Sequence, residues 1–236
     1  MIHEINIGTL DWELVFRDRK DEARKAPWSV KSLSHCRLSG SLAPLLDIET
    51  PRILVIGSRD PSSKDISDTT ELIREISRQW AGDETKPVII SGLAMGTDAA
   101  VHRTALNCGL PTVAVVATGL DTVYPSQNKE LASEILRAPG SGILTQFPDG
   151  TAPEVLNFFD RNLSMIMMSD MVIVTCSKAQ GGALTTARYA ASLGIPVYCL
   201  PGSNSDLRHV GTNQLIIEGT AKMLPSLSEV SVRTLF

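Results

Sequence analysis

Directly after the apolar run Ile53–Ile56 comes Gly57-Ser58-Arg59, which sets open backbone amides, a hydroxyl and a guanidinium fork side by side. Those groups suit an anion, and a phosphate above all. The same chemistry recurs along the chain wherever an apolar run stops. Ser91-Gly92-Leu93-Ala94-Met95-Gly96-Thr97-Asp98 follows the second run, with His102 one turn later, and Thr118 to Pro125, which contains Asp121, follows the third. Ser177-Lys178-Ala179-Gln180-Gly181-Gly182-Ala183 precedes Thr185 and Thr186, and Pro201-Gly202-Ser203-Asn204 closes the series. Arg161 stands apart in Phe158-Phe159-Asp160-Arg161-Asn162, where a cation beside aromatics can hold a phosphate or stack on a base.

Each stretch also has a plainer reading. Gly57-Ser58 serves as a strand-to-helix turn, and Asp98 as an N-cap that stabilises a helix by roughly 1 kcal/mol. His102 reads as a half-buried side chain packed on the next loop, Tyr124-Pro125 as a turn, Gly181-Gly182 as a close approach of helix and strand, and Arg161 as a salt-bridge partner of Asp160. A nucleophile with its base is not apparent in these loops, nor is a glycine-rich loop closed by Lys-Thr for a triphosphate.

The elements that must carry these loops alternate regularly. Apolar runs at 53–56, 88–90, 112–117, 143–146, 171–176 and 197–200 read as strands, because strands covered on both faces lack period-2 alternation. Between them the spacing predicts helices over 98–107, 129–136, 156–168 and 183–193, a further one capped by Asp65 or Ser67 with Ile66, Leu72, Ile73, Ile76 and Trp80 on its apolar face, and a last helical turn over 215–221. Gly194 stops the helix before Ile195-Pro196. The expectation is an α/β fold: an extended Rossmann-like, doubly wound, mostly parallel sheet with helices on both faces, whose ligand lies beyond the carboxyl ends of the strands. Residues 1–45 read as a short N-terminal segment, either a helical cap or an arm against a partner, with Pro27-Trp28 and a serine-rich run as irregular connection. Residues 46–225 form the Rossmann-like domain, and 226–236 a tail.

A chain of 236 residues, 43% hydrophobic and 20% charged, is that of an ordinary soluble protein able to bury a full core. The longest apolar stretch, Met165 to Val174, is broken by Ser169 and Asp170, so no membrane span is expected. Acids at Glu4, Asp11 and Glu13 leave no leader pattern, which places the protein in the cytoplasm. The four cysteines are scattered, which suggests neither a metal site nor a disulfide framework, and Cys176 and Cys199 read as small buried hydrophobes. The net charge of −4 argues against a generally basic nucleic-acid coat, though not against a local basic pocket.

The order of the loops resembles one known family, the bacterial DNA-processing protein A family, also called DprA or Smf. The residues that carry the resemblance are Gly57-Ser58-Arg59, Ser91 to His102, Ala117 to Pro125, Arg161-Asn162, Gly182 to Ala187, Pro201-Gly202 and Gly211-Thr212-Asn213-Gln214-Leu215-Ile216, spread over about residues 50–224. The resemblance implies a non-enzymatic protein without cofactor or metal. Such a protein binds single-stranded DNA, protects incoming strands, helps load a RecA-type recombinase during natural transformation, and forms a homodimer. It implies that Gly57, Ser58, Arg59, Ser91, Gly92, Gly96, Asp121, Arg161, Asn162, Lys178, Gly181, Gly182, Thr185 and Thr186 bind DNA and its phosphates. Three positions depart from the family pattern. Leu163 stands for the second Arg of Arg-Asn-Arg, Gly181-Gly182-Ala183 for Ser-Gly-Ser, and Phe159 for the Pro after Phe. These changes remove charge or polarity from the expected groove unless Lys178, Arg188 or Arg208 compensates, and they motivate an alternative: a nucleotide-binding sensor or nucleotide-hydrolase module. The chain also leaves no room for a winged-helix-like C-terminal domain.

Overall fold

The computed structural model describes residues 1–6, 9–17, 19, 35–203, 205–224 and 231–235. Among these residues nine strands form one sheet in the order β1-β2-β6-β5-β4-β3-β7-β8-β9. They are β1 (Ile2–Asn6), β2 (His35–Gly40), β3 (Arg52–Ile56), β4 (Val88–Ser91), β5 (Thr112–Val115), β6 (Gly142–Thr145), β7 (Met171–Val174), β8 (Val197–Cys199) and β9 (Lys222–Met223). From β6 to β9 all neighbours are parallel, whereas β2 pairs antiparallel with both β1 and β6. The helices are α1 (Leu10–Val15), α2 (Ala43–Leu46), α3 (Ser63–Gln79), α4 (Thr97–Asn107), α5 (Lys129–Arg137), α6 (Val155–Met168), α7 (Gly182–Ser192) and α8 (Val210–Ile217).

Strand β3 shows why the sheet is wound on both sides. All five of its residues are buried: Leu54 and Ile56 pack into a core shared with α1, α2, α6, α7 and α8, while Ile53 and Val55 pack with α3 and α4 on the opposite face. A third cluster joins α4 to α5 through Ala99, Leu131 and Ile135. Cys176 and Cys199 are fully buried. The chain crosses from one wing of the sheet to the other between β6 and β7, so β3 has β4 on one side and β7 on the other. This is the topological switch point of an open α/β sheet, and the loops after β3 and β7 face each other across it. Among the described residues no helix is long and apolar enough to cross a membrane.

The structure departs from the sequence reading at three places. Helix α3 is capped three residues before Asp65: Ser62 Oγ accepts from the Asp65 amide at 3.1 Å while the Asp65 carboxylate accepts from the Ser62 amide at 2.7 Å. This reciprocal capping box makes Ser62 the cap and places Asp65 and Ser67 inside the helix. Helix α8 begins at Val210, ahead of the expected turn at 215–221. Finally, residues 2–6 and 35–40 are strands of the main sheet, and α1 is a short helix between them. The reading of Pro27-Trp28 and its serine-rich run as irregular connection lies outside the described residues up to position 34, and is overturned from His35 on, where the chain is β2.

A buried cation ties this N-terminal part to the core. Arg52, fully buried at the start of β3, donates to the carbonyls of Leu14 (3.0 Å), Val15 (2.7 Å) and Leu45. Burial lowers its pKa to about 9, so it stays protonated at neutral pH. Arg17 adds a bond to Asp170 at 2.8 Å, and the same carboxylate oxygen accepts from the Arg52 amide at 2.9 Å. In the expected tail, Val232 is buried against α3 and Arg233 pairs with Asp83 at 2.7 Å; residues 226–230 and 236 lie outside the described set.

Candidate functional site

At the switch point the turn after β3 is held by close packing against its neighbours. A Cβ on Gly57 would sit 2.6 Å from Thr97 Oγ1 and 2.8 Å from Thr175 Oγ1, and one on Gly96 would meet the carbonyls of Ser58 and Arg59 at 2.7 Å. Gly96 also has a φ of +76°, which side chains disfavour. These two glycines bring the β3 and β4 loops together, and the Thr97 amide donates to the Ser58 carbonyl at 3.1 Å. Arg59 is left on the rim, exposed, with its guanidinium 5.0 Å from the centre of the Phe158 ring.

Phe158 projects from the first turn of α6. Tyr124 tilts against it with ring centroids 5.9 Å apart. Arg161 lies 5.8 Å from the same ring, so two guanidinium groups border one aromatic side chain. Arg161 itself is 5% exposed and donates to the carbonyls of Gly92 and Val115, the latter at 2.7 Å. Burial lowers its pKa to about 10, the nearby Asp98 raising it and Arg59 lowering it further, and it remains a cation at neutral pH. Asp98 lies in the first turn of α4, whose cap is Gly96, and its carboxylate accepts from the Ala94 amide at 3.3 Å. Burial raises its pKa, opposed by Arg161. Among the described residues no ion pair joins Arg161 to Asp160. Arg161 Nε donates instead to Asn162 Oδ1 at 3.0 Å, and Asn162 passes the chain on to Thr186 Oγ1 at 3.0 Å and thence to the Gly182 carbonyl at 2.9 Å.

The result is a cleft of about 630 Å³. Of the residues singled out in the sequence, Gly57, Ser58, Arg59, Arg161, Asn162, Lys178, Gly181, Gly182 and Thr186 line it. Gly92 lines a smaller hollow of about 70 Å³ beside it. Four do not line either space. Ser91 is fully buried and donates to the Val55 carbonyl at 2.7 Å, and Gly96 packs behind the β3 turn. Asp121 accepts from the Gly150 amide at 3.0 Å, steadying the loop after β6, while Thr185 points to solvent from the side of α7 away from the cleft lining. His102 is fully rather than half buried, bonded to Thr112 Oγ1 at 2.8 Å, and burial drives its pKa down to about 3. An imidazole held neutral that way is a packing group.

The departures from the motif pattern are resolved in place. Leu163 is fully buried in the core beneath α6 and takes no part in the cleft wall. Ala183 and Phe159 do line the cleft. Lys178 supplies a cation there, whereas Arg188 pairs with Glu218 at 3.0 Å and Arg208 with Asp206 at 2.9 Å, and neither lines the cleft. Lining residues that sequence reasoning passed over include Asp60, Pro153 and Val155, whereas Phe158 entered it only as an aromatic beside Arg161.

The model of the family described as DNA recombination-mediator protein A matches residues 38–234. The chain belongs to that family. Within it, DNA processing protein DprA of Streptococcus pneumoniae is 33% identical over 205 residues, which cover 86% of this chain and 69% of the relative. Protein Smf of a Synechocystis strain is 33% identical over 176 residues, covering 75% of this chain and 42% of the relative, so the chain spans less than half of that longer family member. The solved structure of the S. pneumoniae DprA superposes with a TM-score of 0.80 at 30% identity, covering 98% of this chain and 75% of that one. A DprA structure from Helicobacter pylori, described for its single-stranded DNA binding mode, superposes with a TM-score of 0.78 at 24% identity over 100% of this chain and 95% of its own. The DprA family matches therefore agree with the Rossmann-like architecture.

Proposed function

We propose that this DprA-family chain binds single-stranded DNA in the cleft between the β3 and β7 loops. The observation that carries the reading is Phe158, a half-exposed ring flanked by the Arg59 and Arg161 guanidinium groups. An unpaired base stacks on the ring, and Arg59, Lys178 and the Gly182 amide at the start of α7 take the phosphates on either side. Sequence preference is slight, because stacking accepts every base. A duplex hides its base faces and does not enter. The single-strand binding described for the H. pylori relative supports the same assignment.

From this follow the wider roles proposed for the chain: protection of incoming strands in the cytoplasm, loading of a RecA-type recombinase, and action as a homodimer without an enzymatic step. The exposed apolar residues Ile217, on α8, and Met223, on the edge strand β9, support a self-association surface at that end of the sheet.

The test is a fluorescence-anisotropy titration with one labelled oligonucleotide, single-stranded and then annealed. Salt-sensitive binding of the single strand that weakens about tenfold or more in Phe158→Ala is expected, since one stacked base is worth ~1–3 kcal/mol. Equal affinity for duplex and single strand, or binding indifferent to Phe158, would contradict the reading.

A further inference from the structure

The mouth of the cleft already holds an anion of the protein's own. Asp60 Oδ2 lies 3.3 Å from Lys178 Nζ, a bridge from the β3 loop to the β7 loop directly across the cleft that both residues line. The two side chains are 86% and 53% exposed. Neither charge is needed to shape its own turn. The Asp60 backbone is fixed by its amide, which donates to Ser58 Oγ at 3.0 Å, and the Lys178 turn is closed by the Gly181 amide donating to the Lys178 carbonyl at 3.0 Å. Arg208, held in its charged form mainly by its bonds to Asp206, also feels the Asp60 carboxylate. Asp60 thus sits among cations, in the position a phosphate oxygen would take to reach Lys178.

We propose that Asp60 is a resident counterion in the outermost phosphate subsite of the cleft, and that a nucleic-acid phosphate binds there by displacing its carboxylate from Lys178. The inference rests on the single-strand reading of the cleft. Displacement is cheap because an exposed ion pair of this kind contributes little stability, and both turns survive it intact. The consequence is a threshold. A lone weak anion competes poorly with a tethered carboxylate, whereas a strand anchored at Phe158 and Arg59 brings its next phosphate to Lys178 at high effective concentration. Asp60 in this way favours a connected strand over free phosphate or a mononucleotide.

The decisive experiment titrates a labelled single-stranded oligonucleotide against wild type, Asp60→Asn, Lys178→Ala and the double variant, at low and moderate salt. Asp60→Asn should bind ~3- to 10-fold more tightly at low salt, with the gain shrinking as salt rises and absent when Lys178 is also removed. The exposure of both side chains leaves the melting temperature unchanged, which a thermal scan verifies. Identical affinity of Asp60→Asn and wild type overturns the proposal and leaves the single-strand reading standing, as does an equal gain in the Lys178→Ala background. Binding by Asp60→Asn alone, with wild type silent, supports it. Binding by neither overturns the single-strand reading together with the proposal.

Discussion

The Arg59 guanidinium rests 5.0 Å from the centre of the Phe158 ring, joining a strand-end turn to the first turn of a helix about a hundred residues later. The contact leaves the ring covered by an exposed rim cation that a base can replace. Phe158→Trp should therefore keep or improve single-strand affinity, and Arg59→Lys should lose about fivefold, because an ammonium neither lies flat on a ring nor forks to a phosphate. Anisotropy titrations at one salt concentration measure both. A lysine variant as tight as wild type would show that Arg59 acts as a plain point charge.

Arg161 has a different task from its neighbour. Its bonds to the Gly92 and Val115 carbonyls hold the floor of the cleft together, next to the buried Asp98. Arg161→Leu removes the donor from two carbonyls and leaves the buried Asp98 carboxylate with only the more distant charge of Arg59, so a loss of ~3–5 kcal/mol is expected in urea unfolding. A midpoint close to that of wild type would mean that water satisfies the floor.

Much of this arrangement was legible before folding. The β-branched runs before Gly57, Ser91 and Ser177 carry no alternation, and each is a buried parallel strand. Strand β2 was not legible, because its residues, His35-Cys36-Arg37-Leu38-Ser39-Gly40, are an edge-like mixture whose pairing depends on β6, about a hundred positions away. The loops announced a phosphate surface, yet a motif does not reveal which way a residue faces. Ser91 and Asp121 look as exposed on paper as Ser58, but one lies under the sheet end and the other closes a neighbouring loop. Phe158 and Arg59 acquire meaning only once the switch point brings their elements together.

Acid should destabilise the protein through His102. Burial holds its imidazole neutral down to about pH 3, whereas an unfolded chain protonates it near 6.5. As pH falls below 6.5 protons bind the unfolded state preferentially. Stability is therefore complete above that value and falls progressively, by about 2 kcal/mol between pH 6.5 and 5. His102→Leu should flatten this limb, and Thr112 keeps its own acceptor, the Ile89 carbonyl at 2.8 Å. Urea midpoints at pH 7 and 5 for both proteins give the comparison; parallel losses would exclude His102 as the cause.

Arg52 should control the attachment of the N-terminal elements. Arg52→Met fills the same space but abandons the carbonyls of Leu14, Val15 and Leu45, at a cost of ~2–4 kcal/mol. Hydrogen exchange at Leu10–Val15 should accelerate more than exchange in β4 or β5. Uniform acceleration would show that the first strands and the core open as one unit.

The most direct test of the account is where a base lies when a strand is bound. A single-stranded oligonucleotide carrying 5-iododeoxyuridine, irradiated in complex with the protein and mapped by mass spectrometry, should give an adduct at Phe158, with Tyr124 as the neighbouring alternative. An adduct confined to the far edge of the sheet, around Ile217 and Met223, would contradict the assignment of the cleft.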